Sequence, residues 1–359
     1  MQKFGLIVII VLIVGSIFYL EAKKPKFEDV DPSEQVVSTV VEDADKAKKY
    51  DKAIEISTPD GFINTDSVKI ADLIGKKVIM VEFWTYSCIN CQRTTPYLNS
   101  WYERYQKDGL EIIGIHTPEF EFEKEYANVA NAVSDFGIKF PVVLDNDYST
   151  WRSYKNRFWP RKYLIDIDGY IVYDHIGEGA YEETEGVIRK LLKERADKLG
   201  ETVDLEAFAE TPDATAKSAK PNTPEIYLGE ARNQKYLDAE AKNEPAANKF
   251  SLSGNWQIAD QYAANQDSLG SILLNFTAKN VFMVASAKIK TRVVVTVDGR
   301  PLAKDEAGKD IVFEGKESVF YADSERLYKL FAAPEQVSGK VLKLTPAQAG
   351  FQAYTFTFG

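Results

Sequence analysis

Cys88 and Cys91, the two cysteines of this 359-residue sequence, stand two residues apart in Trp84-Thr-Tyr-Ser-Cys88-Ile-Asn-Cys91. A disulfide between them closes a ring too short to restrict an unfolded chain much, because loop-closure entropy grows with loop length. Two adjacent thiols can instead cycle between dithiol and disulfide and so pass two electrons. The exchange needs a group to take a proton from the inner thiol. Glu82 interrupts an otherwise apolar run, Val78-Ile-Met-Val-Glu-Phe-Trp84. A buried, unpaired carboxyl is costly and has a raised pKa. Glu82 is therefore a candidate acceptor for the Cys91 proton, directly or through water; the alternative is an edge-strand glutamate facing solvent.

The elements around the pair assign roles. Cys88 falls where a strand ends and a helix begins, where unpaired N–H groups and the helix dipole favour a thiolate. Cys88 is predicted to attack and Cys91, one turn deeper, to resolve the mixed disulfide. Trp84, Tyr86, Ser87, Ile89 and Asn90 are the neighbours expected to tune the pair. Arg93 either favours a thiolate or faces solvent. His116 follows a strand whose end is expected to face the site; it either tunes Cys88 or contacts substrate, or it merely hydrogen-bonds a loop, as such a histidine more often does. His175 is read as structural.

From Ile54 to about Leu199, strand-like runs alternate with helical ones, which predicts an α/β domain. The strands are Val78–Trp84, Leu110–Ile115, Phe140–Leu144, Lys162–Ile167 and Tyr170–Asp174; the last two meet at Asp168-Gly169, a hairpin turn signal. Helices are expected over Cys91–Gln106, Glu123–Phe136 and Glu182–Leu199. Beyond about Lys249, short alternating strands without long helices predict an all-β sandwich. The resulting division is an anchor (1–22), a charged tether (23–50), an α/β domain (51–200), a linker (201–248) and a β-sandwich (249–359).

The anchor rests on Phe4–Leu20, seventeen residues without a charge. As a helix they span roughly 25 Å, slightly short of the ~30 Å hydrocarbon core of a bilayer. A cleaved signal peptide fits less well, since Leu20-Glu-Ala22 is a poor cleavage site. An N-in, C-out single-pass helix would hold the body outside the cytoplasm, on the periplasmic or extracellular side, where disulfides form. Net charge is −10, which argues against nucleic-acid binding.

The order of acid, aromatic residues, C-x-x-C and a proline five positions after the second cysteine (Pro96) resembles thioredoxin-fold proteins. That resemblance implies a cis-proline opposite the cysteines, and Trp159-Pro160-Arg-Lys-Tyr-Leu-Ile-Asp166 fits the position. Trp159 would then present its backbone to an extended substrate. Longer stretches resemble the DipZ family: Phe83–Thr95, Gly114-Ile-His-Thr-Pro-Glu-Phe120, Tyr163-Leu-Ile-Asp166, Gly177-Glu-Gly-Ala-Tyr181, Thr223–Gly229, Leu252-Ser-Gly-Asn-Trp256, Arg326-Leu-Tyr328 and Tyr354–Gly359. The family resemblance implies an extracytoplasmic thioredoxin-like domain, followed by a jelly-roll-like sandwich similar to carbohydrate-binding modules. In that family a CcdA-type membrane electron carrier precedes these domains. Here a single apolar segment stands in its place, so a separate CcdA/DsbD-like membrane donor is the implied partner, with protein disulfides as substrates.

Rival chemistries fit poorly. Zinc needs four ligands, and only His116 and His175 could join the cysteines, far from finger spacing; no metal or other cofactor is expected. A peroxiredoxin-like peroxidase shares Thr85-x-x-Cys88 but has Val81 where that pattern places proline. Gly177-x-Gly179 lacks the third glycine of a dinucleotide loop. The second hypothesis is a carbohydrate- or cell-wall-binding protein with a thioredoxin scaffold. Ile89-Asn90 does not set the direction of electron flow; the family resemblance implies a reductase.

Overall fold

The computed structural model describes residues 44–205, 208–209, 222–241 and 244–359. The expected anchor, most of the tether and the polar stretch 210–221 lie outside the described residues. Among the described residues, no helix is long and apolar enough to cross a membrane.

Six strands, β1 (Gly61–Ile63), β2 (Val78–Trp84), β3 (Leu110–His116), β4 (Val142–Leu144), β5 (Arg161–Ile165) and β6 (Ile171–Ile176), form one sheet in the order β1-β4-β3-β2-β5-β6. β2, β3 and β4 are mutually parallel. β1, β5 and β6 join antiparallel, the last two as the expected hairpin. Among the described residues, six α-helices accompany the sheet: α1 (Ala44–Lys49), α2 (Ile70–Leu73), α3 (Ile89–Tyr105), α4 (Tyr126–Asp135), α5 (Ser149–Ser153) and α6 (Tyr181–Leu199).

β2 is buried along its whole length, which its continuous apolar run anticipates. Side chains alternate between faces along a strand. Val78, Met80 and Trp84 enter the core shared with α3 and α6, whereas Ile79, Val81 and Phe83 enter the opposite core with Ile70 and Tyr154. The same alternation puts Glu82 on the α3 face, beneath the cysteines.

The tether is shorter than expected. Residues 44–49 form α1, and Lys46 Nζ lies 2.6 Å from Asp166 and 2.9 Å from Asp168 at the β5–β6 turn. Two carboxylates buried at that turn need a counter-charge, and α1 supplies it.

The C-terminal half is all-β. Its strands are β7 (Ile226–Tyr227), β8 (Phe250–Ser253), β9 (Trp256–Ile258), β10 (Ala263–Asn265), β11 (Ser271–Ala287), β12 (Thr291–Val297), β13 (Arg300–Pro301), β14 (Val312–Glu314), β15 (Glu317–Ala322), β16 (Arg326–Pro346) and β17 (Phe351–Phe358). They make one continuous antiparallel sheet with the path β14-β15-β12-β16-β11-β17-β10-β9. In a flat sheet, four steps along this path from β15 to β17 would cover roughly 19 Å. The rings of Phe320 (β15) and Phe351 (β17) lie 6.2 Å apart. The sheet therefore folds over on itself into two facing layers. Register shifts in the long β11–β16 pair, between Phe276 and Phe282, mark where the strands bend. β7 pairs with β17, so this half takes in residues read from sequence as linker.

The two halves share a core. Phe282, Val284, Leu327 and Tyr354 of the β-domain pack in one cluster with Tyr86, Ile89 and Cys91.

Candidate active site

Cys88 caps the N-terminus of α3, with φ −76° and ψ 120°, and is partly exposed; Cys91 is buried at 2% exposure. Both are free thiols. The Cys88 Sγ lies 3.9 Å from the Trp159 carbonyl oxygen, which accepts from it. The Trp159–Pro160 peptide is cis. The Trp159 indole donates to the Thr117 carbonyl at 3.0 Å and packs 4.3 Å from the Trp151 ring, so its backbone is held against the dithiol. Pro96 lies inside α3. The hydroxyls of Thr94 and Thr95 donate back to the Asn90 and Cys91 carbonyls at 2.9 Å each, so both hydroxyls find their partners within the helix.

Burial pushes the Cys91 thiol well above its ordinary pKa; a hydrogen bond to Cys88, its charge and that of Glu82 add to this, while a backbone bond at Thr85 opposes it. A thiol so disfavoured as thiolate needs a nearby base. Glu82 is 1% exposed, and neither carboxylate oxygen has a hydrogen-bond partner among the described residues. Burial raises its pKa to about 7, against the opposing pull of Lys162. Lys162 is itself fully buried, with its Nζ 3.9 Å from Glu82 and no hydrogen bond.

Lys162 escaped the sequence reading because it begins a predicted strand, where an exposed lysine is ordinary. Only the β2–β5 register, which sets Glu82 opposite Lys162, brings the charges together. The one available signal was a pair of ionisable residues, each in an apolar strand, whose single pairing could neutralise both.

Glu123 was also missed. Its Oε1 accepts from Ser87 Oγ at 2.6 Å and Ser87 N at 3.2 Å, and its Oε2 from the backbone N–H groups of Glu119 and Phe120. Fully buried, it ties the residue before Cys88 to the 117–123 loop. Glu123 was expected only as the start of the helix Glu123–Phe136; it lies instead in a 3₁₀ turn, Glu121–Lys124, whose direction decides which glutamate of Glu119-Phe-Glu-Phe-Glu123 points inward. Replacing Glu123 with alanine is expected to destabilise the protein by roughly 2–4 kcal/mol, leaving four donors unpaired; urea unfolding measures it, and Glu123→Gln should recover part.

His116 lies in the interior. It is fully buried, stacks on Tyr86 with centroids 5.7 Å apart, and its Nε2 lies 3.4 Å from the Tyr86 N–H and the Thr85 hydroxyl. It cannot contact substrate; it props the loop that carries Tyr86 and Ser87. Burial lowers its pKa to about 3. An unfolded histidine titrates near 6.5. The stability this group contributes is thus complete above pH 6.5 and is lost as pH falls toward 3. His116→Gln should flatten that limb of the stability–pH curve by roughly 1–3 kcal/mol between pH 6.5 and 4, read from urea midpoints.

Trp84 is buried over Gly114, where an added Cβ would come 2.9 Å from the indole nitrogen and 3.1 Å from Phe140. Only glycine lets the indole lie this close to β3. Tyr86 donates its hydroxyl to the Glu325 carbonyl of the β-domain at 3.0 Å. Ile89 is buried, and Asn90 Oδ1 accepts from Arg93 at 3.4 Å. Arg93 neither faces open solvent nor points at a sulfur: it pairs with Glu178 at 3.2 Å. His175 Nε2 lies 3.4 Å from the Glu178 carbonyl.

Two family matches divide the chain as the fold does. Residues 50–174 match the AhpC/TSA family, and residues 223–359 a thioredoxin-like C-terminal domain. Protein DipZ of Mycobacterium tuberculosis is 35% identical over 311 residues, covering 83% of this chain and 41% of that protein. The chain belongs to the DipZ family of thioredoxin-like proteins. The thiol–disulfide oxidoreductase ResA of Bacillus anthracis is 34% identical over 134 residues, 36% of this chain and 74% of ResA. The solved thioredoxin domain of a thiol–disulfide oxidoreductase from Bacteroides vulgatus is 25% identical over 38% of this chain and 96% of its own, with TM-score 0.33. On the ResA match, the α/β domain of this DipZ-family chain is a thiol–disulfide oxidoreductase domain of thioredoxin fold. The chain spans about two fifths of the length of the DipZ relatives it matches.

Proposed function

We propose that this chain is an extracytoplasmic reductase of protein disulfides, tethered to the membrane by Phe4–Leu20 and recharged by a separate CcdA/DsbD-like membrane donor. One observation carries the chemistry: an accessible Cys88 against the Trp159 carbonyl, above a buried Cys91 and a buried Glu82. The Cys88 thiolate attacks one sulfur of a substrate disulfide, and the other sulfur leaves as a thiolate that takes a proton. Cys91 gives its proton to Glu82 and attacks the Cys88 sulfur. The second substrate thiolate departs, leaving a Cys88–Cys91 disulfide. The substrate has gained two electrons and two protons; the donor then gives two electrons to the Cys88–Cys91 disulfide, which with two protons from solvent and Glu82 becomes the dithiol again. The Trp159 backbone, held beside Cys88, suits an extended substrate strand alongside the thiol.

The test is insulin reduction with dithiothreitol as electron source, followed by turbidity. Wild type should precipitate the B chain far faster than dithiothreitol alone. Equal rates for wild type, Cys88→Ser and Cys91→Ser would refute the reading. The direction rests on the family resemblance, and the equilibrium of the dithiol with a glutathione buffer checks it: a reductase poises well below the buffer's potential.

A glycan role for the β-domain has no comparable geometry behind it. A cleft of about 380 Å³ on it is lined by Glu244, Ser251, Ser253, Ser271, Asp298, Lys343 and neighbouring small or aliphatic residues, with no aromatic ring on which a sugar could stack.

A further inference from the structure

The β-domain brings charge to the active-site helix. Phe282 on β11 and Lys329 on β16 are register partners, and the Lys329 ammonium lies 5.6 Å from the Phe282 ring. The Arg93 guanidinium reaches the same ring from α3, at 5.5 Å, while bonded to Asn90 between the two cysteines. Phe282 therefore marks where the β-domain meets the active-site helix.

Two more lysines collect there. Gly308 and Asp310 donate backbone N–H groups to the Leu330 and Lys329 carbonyls at 3.2 and 3.3 Å, so the loop carrying exposed Lys309 lies along β16 beside Lys329. Lys279 precedes Asn280, whose backbone and side chain both bond Gly359, and Gly359 is packed against the Arg93 guanidinium. Lys329 is held below the ordinary lysine range by burial first, then by Arg93, Lys309 and Lys279.

The acids nearby are already engaged. Glu178 takes Arg93, Asp310 takes Arg326 at 2.8 Å, and the Glu325 carboxylate accepts from Asn128 at 2.8 Å. Among the described residues, Lys279, Lys309 and Lys329 form no ion pair. On a chain of net charge −10, three unpaired lysines drawn together beside the active-site helix run against the average. Like charges so gathered cost free energy until a counter-charge arrives.

We propose that Lys279, Lys309 and Lys329, set beside the active-site helix by the β-domain, receive an acidic segment flanking the disulfide of the protein substrate. The proposal rests on the reductase reading and names its substrate class.

Two synthetic peptides test it, each carrying the same disulfide, one flanked by Asp and Glu and the other by Lys. For wild type at low ionic strength, kcat/KM should favour the acidic peptide about tenfold, and the preference should fall toward one at about 0.5 M salt. Lys309→Glu/Lys329→Glu should reverse the ratio; a ratio taken within one variant is insensitive to its folding yield. A wild-type ratio of one, or an unchanged ratio in the double variant, overturns the proposal. A ratio of one with salt-sensitive capture on phosphatidylglycerol vesicles, lost in the double variant, assigns the patch to a membrane surface and also overturns it. Serine-for-cysteine versions of both peptides separate the two readings by fluorescence anisotropy. If neither disulfide is reduced but the acidic analogue binds more tightly, the reductase reading fails and the docking site stands. Equal binding rejects the docking site whatever the redox result.

Discussion

Cys91→Ser should accumulate a covalent adduct with its substrate, and Cys88→Ser should form none. With Cys88 alone, the first exchange still proceeds, but no second sulfur is present to release the product. The mixed disulfide then persists until an outside thiol displaces it. Turnover in both variants is expected to fall on the order of a thousandfold or more, because the attacking and resolving thiols act as a unit. The two losses differ in kind. Non-reducing electrophoresis of an envelope extract should show a substrate-dependent ladder for Cys91→Ser that collapses with dithiothreitol. A ladder from Cys88→Ser instead would reverse the roles, although the partly exposed Cys88 at the helix start and the 2% exposed Cys91 argue against that outcome. The adduct also identifies the physiological substrate, and its flanking sequence bears directly on the three lysines.

The second large effect lies beneath the dithiol. Resolution requires Cys91 to lose a proton where burial opposes the thiolate, and Glu82, poised at about 7, is the base within the same core. The single-turnover rate of mixed-disulfide resolution should rise with pH through about 7 as Glu82 becomes a carboxylate. Glu82→Gln should remove this limb and slow resolution about 10²-fold at pH 7. Lys162→Met removes the charge that pulls Glu82 downward, so the midpoint should move to higher pH while the limb survives. A merely structural lysine would change stability without moving the midpoint. An unshifted profile in Lys162→Met would remove Lys162 from the mechanism. Stability carries the complementary sign. The folded-state pKa of Glu82 lies above the unfolded carboxyl value, so its favourable contribution is complete below about pH 4.5 and is lost as pH rises through 7. Glu82→Gln should flatten stability over that window, while leaving Lys162 buried without its partner lowers it by roughly 3–5 kcal/mol.

Much of the site was legible because its signals are local. Two cysteines at C-x-x-C spacing, an apolar run before them and a helical pattern after them specify a strand, a cap and a first turn within fourteen residues, Val78 to Cys91. The acid in that run announced itself by being out of place. His116 stayed open between two readings because a histidine at a strand end reads the same whether its ring faces solvent or the interior; packing against Tyr86 and Trp84 decided for the interior. Lys162 and Glu123 were invisible for a related reason. Each is an ordinary surface residue type, made consequential by a partner 80 or 36 positions away along the chain.

The chain's order of elements, the dithiol and its chemistry, the hairpin at Asp168-Gly169 and the all-β character of the second half follow from composition, periodicity and spacing, which are properties of neighbouring residues. Tertiary structure decided what depends on register and on the meeting of distant segments. It set Lys162 against Glu82 and braced Ser87 with Glu123. It folded one eleven-stranded sheet over on itself to make the two facing layers. It also set Phe282, Leu327 and Tyr354 beside the active-site helix. A pattern of apolar residues shows that a surface must be buried but not which surface buries it. That choice rests on the shape and charge of both partners, and a linear sequence holds them in separate places.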